Sequence, residues 1–431
     1  MLVHGPYHRR GVLGNPEAMT TGLPGAGRPR RQSGRVNQEA VNRMNPIRRK
    51  ATRAITVGGV AVGGGAPVTV QSMTNTPTPD VAATVAQIRR LEAAGCDIVR
   101  VAVPDADAAG ALARIKAQVR IPVLADIHFD HRLAIAAARA GADGLRINPG
   151  NIGGARKVRA VADCARERGI PIRIGVNAGS LEKDILKKYN GATPEGMVES
   201  ALRHIDLLRS FDFHDLKVSL KASDVSRTVA AYRLLSARTD LPLHLGVTEA
   251  GTLFSGLVKS ALGIGMLLAE GIGDTLRVSL TRDPVEEVRA GFEILRALGI
   301  RQRGPEIIAC PSCGRTRIDL FRIVEQVEQA LAGSAAPIRI AIMGCVVNGP
   351  GEAREADIGV AGGDGVGVLF RKGRVVKKFP EGQLLDVLLA EVRAMEEQLG
   401  PKGPKGLKGP KDPNTKHQKP NTETPEDMHR R

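Results

Sequence analysis

Three cysteines in the last third of the chain are the residues whose types and spacing most clearly suggest chemistry. Cys310 and Cys313 form a CxxC motif in "CPSCGRT", and Cys345 follows within "MGCVVNGPGEA". A cysteine thiolate can act as a metal ligand or as a nucleophile. Metal sites built from cysteine usually have four ligands, so a set of three raises the question of the fourth.

Zinc and dithiol chemistry both leave this set unexplained. A zinc site would add a histidine or a fourth cysteine, yet no histidine occurs between His244 and His417 and this region has no further cysteine. A thioredoxin-like dithiol would use the CxxC and leave Cys345 without a role. The residue inventory therefore disfavours both sites.

An iron-sulfur cluster fits the three cysteines better, because such clusters bind thiolates and can take a different ligand at one iron. The nearest candidate for that ligand is Glu352, which follows Cys345 across the turn-rich "VVNGPG". On spacing alone, a solvated surface glutamate is the other interpretation of Glu352. The CxxxCxxC motif of radical S-adenosylmethionine enzymes does not occur. Cys96 and Cys164 fall in apolar patterns and are predicted to be small core residues.

Eight short β-branched runs, each followed by a helical pattern, precede the cysteines. They occupy residues 67–73, 97–103, 122–126, 144–148, 171–177, 216–220, 243–247 and 275–280. This alternation predicts parallel strands joined by crossover helices, and eight such units in about 230 residues predict an α/β fold of the TIM (β/α)8 barrel type. A doubly wound open sheet is the alternative, which is weakened because no GxGxxG motif follows the first strand.

Polar residues stand where these strands are predicted to end, and in a TIM barrel those ends form the active-site face. They are Asp126, Asn148, Asn177, Lys221, Glu249 and Thr281, with Ser279 two residues before the last. Four arginines lie inside the apolar strands themselves, namely Arg100, Arg146, Arg173 and Arg277. Strand alternation places three of these arginines on the same face as the polar strand ends.

Several buried guanidinium groups repel one another unless an anion neutralises them, and their planar donor forks suit phosphate oxygens. The arginines therefore predict a phosphorylated ligand at the barrel mouth. The alternative is that each arginine pairs with a local carboxylate such as Asp97 or Asp126. Glu249 and Asp126 are the candidates for proton transfer, although Asp126 could equally form a structural ion pair. His128 and His131 follow Asp126 in a loop and are expected to be satisfied loop histidines.

A smaller α+β region with a different rhythm follows the barrel pattern and contains the three cysteines. The predicted organisation is a disordered basic extension (1–47), a barrel that binds substrate (48–300), a cluster domain (301–398) and a disordered Lys/Pro-rich tail (399–431). Met44 would start a plausible shorter protein.

The formal charge of +17 lies mostly in the two ends of the chain. The ends are rich in Pro, Gly, Lys and Arg, and the chain has no Trp and only three Tyr, so it lacks the aromatic interleaving of single-strand binding surfaces. We predict no nucleic-acid partner. No apolar run approaches the roughly 20 residues that cross a bilayer, and no secretory signal is evident, so we predict a cytoplasmic protein without a membrane partner.

Several motifs, taken together with the cysteines, resemble one family closely. They are "VQSMTNTPTPDV", "DIVRVAVP", "LADIHFD", "LRINPGNIG", "IGVNAGSLE" and "LGVTEAG", in addition to "CPSCGRT" and "MGCVVNGPGEA". The chain is similar to the 4-hydroxy-3-methylbut-2-enyl diphosphate synthases of the non-mevalonate isoprenoid pathway, from about residue 48 to residue 398.

The resemblance implies a TIM barrel followed by a domain similar to the cluster domain of sulfite reductases. It implies a [4Fe-4S] cluster held by Cys310, Cys313, Cys345 and the carboxylate of Glu352. The implied reaction is the two-electron reductive ring opening and dehydration of 2-C-methyl-D-erythritol 2,4-cyclodiphosphate. The family's substrate-binding positions match Arg100, Asp126, Arg146, Asn148, Arg173, Asn177, Lys221, Arg277 and Ser279, and its proton donor matches Glu249.

No large insertion separates the two regions, so the chain resembles the two-domain bacterial form of the family. That form implies a homodimer whose active site lies between the barrel of one subunit and the cluster of the other. Flavodoxin or ferredoxin is the implied electron donor. Two other functions are the alternatives. The first is an iron-sulfur relay or redox sensor, which would not need a pocket for a polyanion. The second is a pterin-binding barrel like dihydropteroate synthase, which would leave the three cysteines without a role.

Overall fold

An eight-stranded barrel forms the first part of the computed structural model, which describes residues 47–345, 351 and 353–399. After a hairpin of β1 (Ile55–Val57) and β2 (Val60–Val62), the barrel strands are β3 (Thr69–Met73), β4 (Ile98–Ala102), β5 (Val123–Asp126), β6 (Gly144–Ile147), β7 (Ile172–Asn177), β8 (Leu216–Lys221), β9 (His244–Leu245) and β10 (Thr275–Leu276). All eight predicted strands are present.

The strands are parallel and follow one another round the sheet in the order β8-β7-β6-β5-β4-β3-β10-β9. A parallel bridge between Val218 and Leu243 joins the two ends of this series. The sheet therefore closes, which confirms the predicted TIM barrel. The doubly wound alternative is wrong, because an open sheet would leave β8 and β9 as separate edges.

Helices on the outside of the barrel connect its strands. They are α1 (Val81–Ala93), α2 (Ala106–Lys116), α3 (His131–Arg139), α4 (Pro149–Ile152), α5 (Ala155–Glu167), α6 (Lys183–Lys188), α7 (Pro194–Arg209), α8 (Val225–Ser236), α9 (Leu253–Ala269) and α10 (Pro284–Ala297). An aspartate at the start of several helices accepts a hydrogen bond from a backbone N–H of the first turn, as Asp80, Asp105 and Asp224 do. These capped helix starts mark where the loops around the barrel mouth end and the helices begin.

Strand β8 shows how the sequence divides the two faces of the sheet. Leu216, Val218 and Leu220 belong to the apolar core between sheet and helices. The alternate residues Lys217 and Lys221, which are also buried, therefore point into the barrel. The interior of this barrel is thus unusually polar for a layer that water does not reach.

The β1–β2 hairpin covers the N-terminal end of the barrel, a feature that the sequence patterns did not predict. Gly58 and Gly59 form its turn with φ values of 51° and 88°, which suits a type I′ hairpin turn. The side chains of the hairpin form a small apolar cluster with residues of β4 and β5, made of Ile55, Val57, Val62, Ile98 and Leu124. The barrel is therefore closed at this end and open to ligands only at the other.

The described part of the second domain forms a five-stranded sheet with two longer helices. Its strands are β11 (Glu306–Ala309), β12 (Arg339–Met343), β13 (Ile358–Gly363), β14 (Val366–Arg371) and β15 (Arg374–Pro380), and its helices are α11 (Leu320–Leu331) and α12 (Leu384–Leu399). The strands lie in chain order, with β11, β12 and β13 parallel and the last two pairings antiparallel. A Lys-Gly turn joins β14 to β15, with Lys372 and Gly373 both at positive φ.

The connection between the two domains is fixed to the N-terminal end of the barrel. Arg301 donates two hydrogen bonds to Asp97, of 2.6 and 2.9 Å, and a third to the carbonyl oxygen of Val68. Asp97 and Val68 stand at the starts of β4 and β3. The chain therefore leaves the barrel on the face opposite to its mouth.

Predictions about the remaining cysteines, Glu352 and the ends of the chain have different outcomes. Cys96 and Cys164 are buried in the barrel core, as predicted. Glu352 and nearly all of the predicted disordered ends lie outside the described residues. No helix of the described residues is long and apolar enough to span a membrane.

Candidate active site

A small polar cavity of about 110 Å³ lies at the C-terminal ends of the barrel strands. We call it the mouth cavity, and its lining residues are Arg100, Asp126, His128, Arg146, Arg173, Asn177, Ser219, Lys221, Thr248, Arg277 and Ser279. Eight of these positions were predicted from the sequence. The cavity thus brings together side chains from strands β4 to β8 and from the loops that follow β5, β9 and β10.

Asp126 at the end of β5 is the acidic centre of the cavity. Its carboxylate lies 3.5 Å from Nε of Arg100 and 3.2 Å from Nη1 of Arg146. Burial by itself would raise the pKa of Asp126, but the charge of Arg100, donation from the His128 ring and the charge of Arg146 outweigh it and hold the pKa well below its usual range. Asp126 is therefore ionised at neutral pH and aligns the arginines of the two flanking strands.

Arg277 is held by a carboxylate that the sequence analysis did not single out. Glu287 on α10 accepts hydrogen bonds of 3.1 Å from both Nε and Nη2 of Arg277. It also accepts from the hydroxyl of Ser72 at 2.9 Å and the backbone N–H of Leu280 at 3.1 Å. Glu287 is only 2% exposed, so this network fixes Arg277 from outside the barrel.

We expect Glu287→Gln to weaken ligand binding more than it slows turnover. The amide cannot accept the bidentate pair, so Arg277 loses its fixed orientation and the free energy of unfolding falls by about 1–3 kcal/mol. Steady-state kinetics should show KM rising about tenfold with a smaller change in kcat. Glu286→Gln, one residue earlier and paired with Arg289 at the surface, is the matched control. An unchanged KM in Glu287→Gln would contradict this positioning role.

The sulfur of Met73 lies between two of the arginines. It is 2.9 Å from Nη2 and 3.2 Å from Nε of Arg100, and 3.7 Å from Nη1 of Arg277. A thioether is a weak acceptor, so it satisfies the N–H groups that face it only in part.

Arg173 has no carboxylate partner among the described residues, although it is only 1% exposed. Its Nε and Nη1 atoms have no hydrogen-bond acceptor within the described structure. Burial, together with the charges of Arg100 and Arg146, lowers the pKa of Arg173 well below its usual value. Lys221 is in the same situation, with its pKa lowered first by burial and then by Arg173.

The alternative in which each arginine pairs with a local carboxylate is therefore wrong for the set. Asp97 binds Arg301, Asp126 is shared by two arginines, and Arg173 has none of these partners. Among the residues that the structure describes, five basic side chains of the cavity face two neighbouring carboxylates. Such an imbalance is stabilised by an anion with several oxygens.

Two predicted site residues do not line the mouth cavity. The side chain of Asn148 caps α4 by accepting from the N–H of Gly150 at 3.1 Å. Glu249 is exposed and follows Thr248 at the rim, with its backbone in the left-handed region at φ 51°. Both stay near the cavity through sequence neighbours, and their roles remain predictions.

Several cavity residues were missed or misjudged from sequence. His128 is a satisfied loop histidine, as predicted, with its Nε2 3.0 Å from Nη1 of Arg146, but its place in the lining of the mouth cavity was not predicted. Thr248 and Ser219 gave no signal beyond their places near strand ends. Glu287 carried a usable signal, since it occupies the buried face of α10 with Val288 and Gly291, where an acid requires a partner.

The cysteines of the second domain lie at one edge of its sheet. Cys310 directly follows β11, and Cys345 lies two residues after the neighbouring parallel strand β12. The backbone N–H of Gly344 donates to the sulfur of Cys310 at 3.2 Å. Parallel neighbours end on the same side, so this topology brings Cys310, Cys313 and Cys345 to a common edge.

The donor chemistry there fits a cluster held by thiolates. A hydrogen bond from the Arg315 guanidinium lowers the pKa of Cys313, and the same bond, together with the charges of Cys313 and Cys345, raises the pKa of Arg315. Thiolates are the form that binds iron. No three His, Cys, Asp or Glu side chains converge as a closed metal site within residues 47–345, 351 and 353–399, a range that excludes the loop 346–350 and Glu352.

The fold and the two sites define a class: an α/β-barrel protein with an electropositive mouth, joined to a small domain that bears three cysteines. Residues 52–292 match the GcpE TIM-barrel domain, and residues 306–394 match the GcpE protein C-terminal domain. The chain belongs to the GcpE family.

Curated relatives align with this chain over nearly their whole length. A protein of Desulfotalea psychrophila is 59% identical over 83% of this chain and 99% of its own length. One of Geobacter sulfurreducens is 62% identical over 79% of this chain and 97% of its own length. Both are named 4-hydroxy-3-methylbut-2-en-1-yl diphosphate synthase (flavodoxin).

Solved structures show only a remote likeness. The dihydropteroate synthase of Stenotrophomonas maltophilia overlaps with a TM-score of 0.42 at 14% identity, over 57% of this chain and 98% of that chain. A likeness at this level carries no argument about function.

Proposed function

We propose that this chain catalyses the reaction for which its relatives are named, as an iron-sulfur oxidoreductase. It converts 2-C-methyl-D-erythritol 2,4-cyclodiphosphate to 4-hydroxy-3-methylbut-2-enyl diphosphate by two-electron reductive ring opening and loss of water. The observation that carries this proposal is the pairing of an electropositive mouth cavity with a three-cysteine edge in one chain. The barrel (48–300) binds substrate and the second domain (301–398) holds the cluster.

The basic side chains bind the diphosphate and hold the charge that develops on the departing oxygen. Arg173 and Lys221, which lack carboxylate partners in the described structure, contribute most of this binding. Arg100, Arg146 and Arg277 are preorientated by Asp126 and Glu287. Asn148, Asn177 and Ser279 supply neutral hydrogen bonds around the same ligand.

Glu249 is the proton donor in this proposal, and Asp126 is not. Asp126 is occupied by its ion pairs with Arg100 and Arg146, so it positions those arginines, whereas the family's proton donor matches Glu249. Glu249 stands at the rim, outside these ion pairs, with its side chain exposed. Closure of the site would bring this carboxyl group over the bound substrate.

The cluster is a [4Fe-4S] cluster held by Cys310, Cys313, Cys345 and Glu352, and when bound it supplies electrons singly. A carboxylate is a harder and more easily displaced ligand than a thiolate. The three cysteines therefore keep the group in place while Glu352 leaves room for substrate.

We expect Glu352→Ala to keep most of its iron and lose turnover by at least about 100-fold, since three thiolates suffice for retention. Iron content and visible absorption, measured beside the turnover rate, check this result. Glu355→Ala is the matched control, because Glu355 is an exposed acid of the following turn. Full activity in Glu352→Ala would rule out the fourth-ligand role.

A second copy of the chain completes the site. The linker leaves the barrel opposite to its mouth, which favours a mouth that meets the cysteine edge of a partner chain. Helix α9, which begins just after the rim residue Glu249, offers a contact surface of exposed apolar side chains spaced by four: Phe254, Val258, Leu262 and Met266. Such a stripe suits packing against another subunit. The proposed assembly is a cytoplasmic homodimer.

The electron donor is a small acidic carrier, flavodoxin or ferredoxin. Arg315, Arg317 and Arg322 are exposed close to the cysteine edge, beside the exposed ring of Phe321. Positive charge around an aromatic contact complements an acidic carrier and speeds its association.

Turnover of the cyclodiphosphate tests the proposed function directly. Anaerobic protein with its cluster, supplied with dithionite and a viologen, should form 4-hydroxy-3-methylbut-2-enyl diphosphate. Chromatography of the products with mass detection would follow the reaction. If no product forms while the cluster is intact and reducible, the assigned reaction is wrong.

A further inference from the structure

A layer of buried polar side chains lies inside the barrel below the mouth cavity. Lys217, His244 and Gln71 belong to it, each at most 1% exposed. The Nζ of Lys217, Nε2 of His244 and both amide atoms of Gln71 have no hydrogen-bond partner in the described structure. Buried polar atoms are nearly always paired, so a group of unpaired ones points to a function.

Lys217 is the titratable group of this layer that is poised at neutral pH. It lies on β8 directly opposite Arg173 of β7 in the strand register, and four residues before Lys221 on the same face. Burial, and then the charge of Arg173, lowers the pKa of Lys217 to about 7. Much of the protein therefore carries a neutral amine here before any ligand binds.

The groups that face Lys217 are basic or uncharged. Arg173 lies beside it on β7, and His244 on β9, with its own pKa lowered well below the usual value by burial and by neighbouring cations. Lys221 stands above it on β8, while Gln71 of β3 is neutral. The remaining charged groups are those of the mouth cavity, including Arg100, Arg146, Arg277 and the single carboxylate Asp126.

We propose that Lys217 is a proton-binding site inside the barrel, which takes up one proton from solvent when a phosphate anion occupies the mouth cavity. The amine gains the proton and becomes an ammonium, and no other bond changes. This rests on the proposed phosphate site and extends it by one residue layer.

The electrostatics give the direction of the effect. In the empty barrel, the surrounding cations oppose a charge on Lys217. A bound anion reverses the local potential, and one negative charge at about 10 Å, at an effective dielectric of about 20, raises proton affinity roughly tenfold. The pKa of Lys217 is therefore higher in the anion complex than in the free protein, and proton uptake on binding is greatest above pH 7. Over the same pH range, the affinity for the anion falls as the pH rises.

Calorimetry with inorganic pyrophosphate tests the proposal. The full-length protein with its cluster is titrated anaerobically at pH 8 in buffers of different ionisation enthalpy, which yields the number of protons taken up. Pyrophosphate carries about three negative charges at this pH, enough to keep Lys217 protonated in the complex.

Because its pKa is lowered to about 7, the amine of Lys217 in the free protein is mostly neutral at pH 8. We therefore expect the wild type to take up nearly one proton more than Lys217→Met. As the pH rises, the dissociation constant for pyrophosphate should also increase more steeply for the wild type than for Lys217→Met, by up to about tenfold per pH unit.

Gln71→Met is the matched control, because it removes a buried unpaired group from the same layer without changing the titratable groups. Its proton uptake should equal that of the wild type. Lys217→Gln serves as a second variant, with circular dichroism to confirm that each protein is folded.

Equal uptake in wild type and Lys217→Met would overturn the proposal and assign any protons to Lys221 or His244. Because pyrophosphate is not turned over, these results do not depend on the proposed reaction. Failure of the wild type to bind pyrophosphate would overturn the phosphate site together with the role of Lys217.

Discussion

Replacing Cys345 with alanine is expected to remove the cluster and all measurable turnover together. The two remaining thiols, Cys310 and Cys313, lie in one loop and cannot surround a cluster from two sides, since Cys345 alone comes from the end of β12. We expect colourless protein with less than about one-tenth of the wild-type iron, because partial thiolate sets lose their metal. Visible absorption, iron and sulfide analysis and the viologen-linked assay check this on one sample.

Cys164→Ala is the control for a lost thiol elsewhere. Cys164 is a buried residue of α5 that packs in the barrel core, so this variant should stay brown and active with a stability loss of about 1 kcal/mol. A Cys345→Ala protein that retained a full cluster would show that Cys345 is not a ligand. It would also remove the central argument for the site.

Replacing Arg173 with methionine is expected to produce the largest loss from the barrel without destabilising it. The buried guanidinium has donors without a partner in the described structure, so its charge serves a ligand rather than the fold. Loss of one such donor typically lowers the rate about 100- to 1000-fold. A buried charge replaced by an apolar side chain of similar length leaves the free energy of unfolding unchanged or raises it by about 1–3 kcal/mol.

Chemical denaturation and steady-state kinetics on Arg173→Met measure the two effects separately. Arg233→Met is the control, because Arg233 pairs with Glu270 on the outer surface of the barrel and should affect neither quantity much. If Arg173→Met were active but unstable, Arg173 would be a structural residue and the phosphate site would have to lie elsewhere.

The same two variants test the assembly. Cys345→Ala has a sound barrel, and Arg173→Met has a sound cluster domain, so a mixed dimer contains one complete site if sites form between subunits. Unfolding and refolding an equal mixture should restore about a quarter of the wild-type activity through random pairing. No recovery would place barrel and cluster of the same chain together.

The fold was predictable because the apolar runs and their spacing specify it. Runs such as 171–177 and 216–220 became β7 and β8 within a residue, since a strand buried on both faces leaves a continuous pattern. The β1–β2 hairpin was not predicted, because its three-residue strands are too short to show a period. Its place under the barrel is a tertiary contact that no local pattern encodes.

The site was predictable in kind but not in its pairings. Arginines inside apolar strands indicated an anionic ligand, and this inference did not depend on which strands are neighbours in the sheet. That Asp126 serves both Arg100 and Arg146 depends on β5 lying between β4 and β6, which only the closed sheet fixes. Glu287 contacts Arg277 across the wall of the barrel, and strand alternation cannot reveal such a contact.

The left-handed backbone of Glu249 has a consequence for anyone who engineers this protein for heat resistance. A non-glycine residue at positive φ costs about 1 kcal/mol, which glycine would recover. A screen that rewards only melting temperature would therefore favour glycine at position 249 and discard the rim carboxylate. Such selection would produce a more stable protein with lower activity, so position 249 should be kept as glutamate in any library designed for stability.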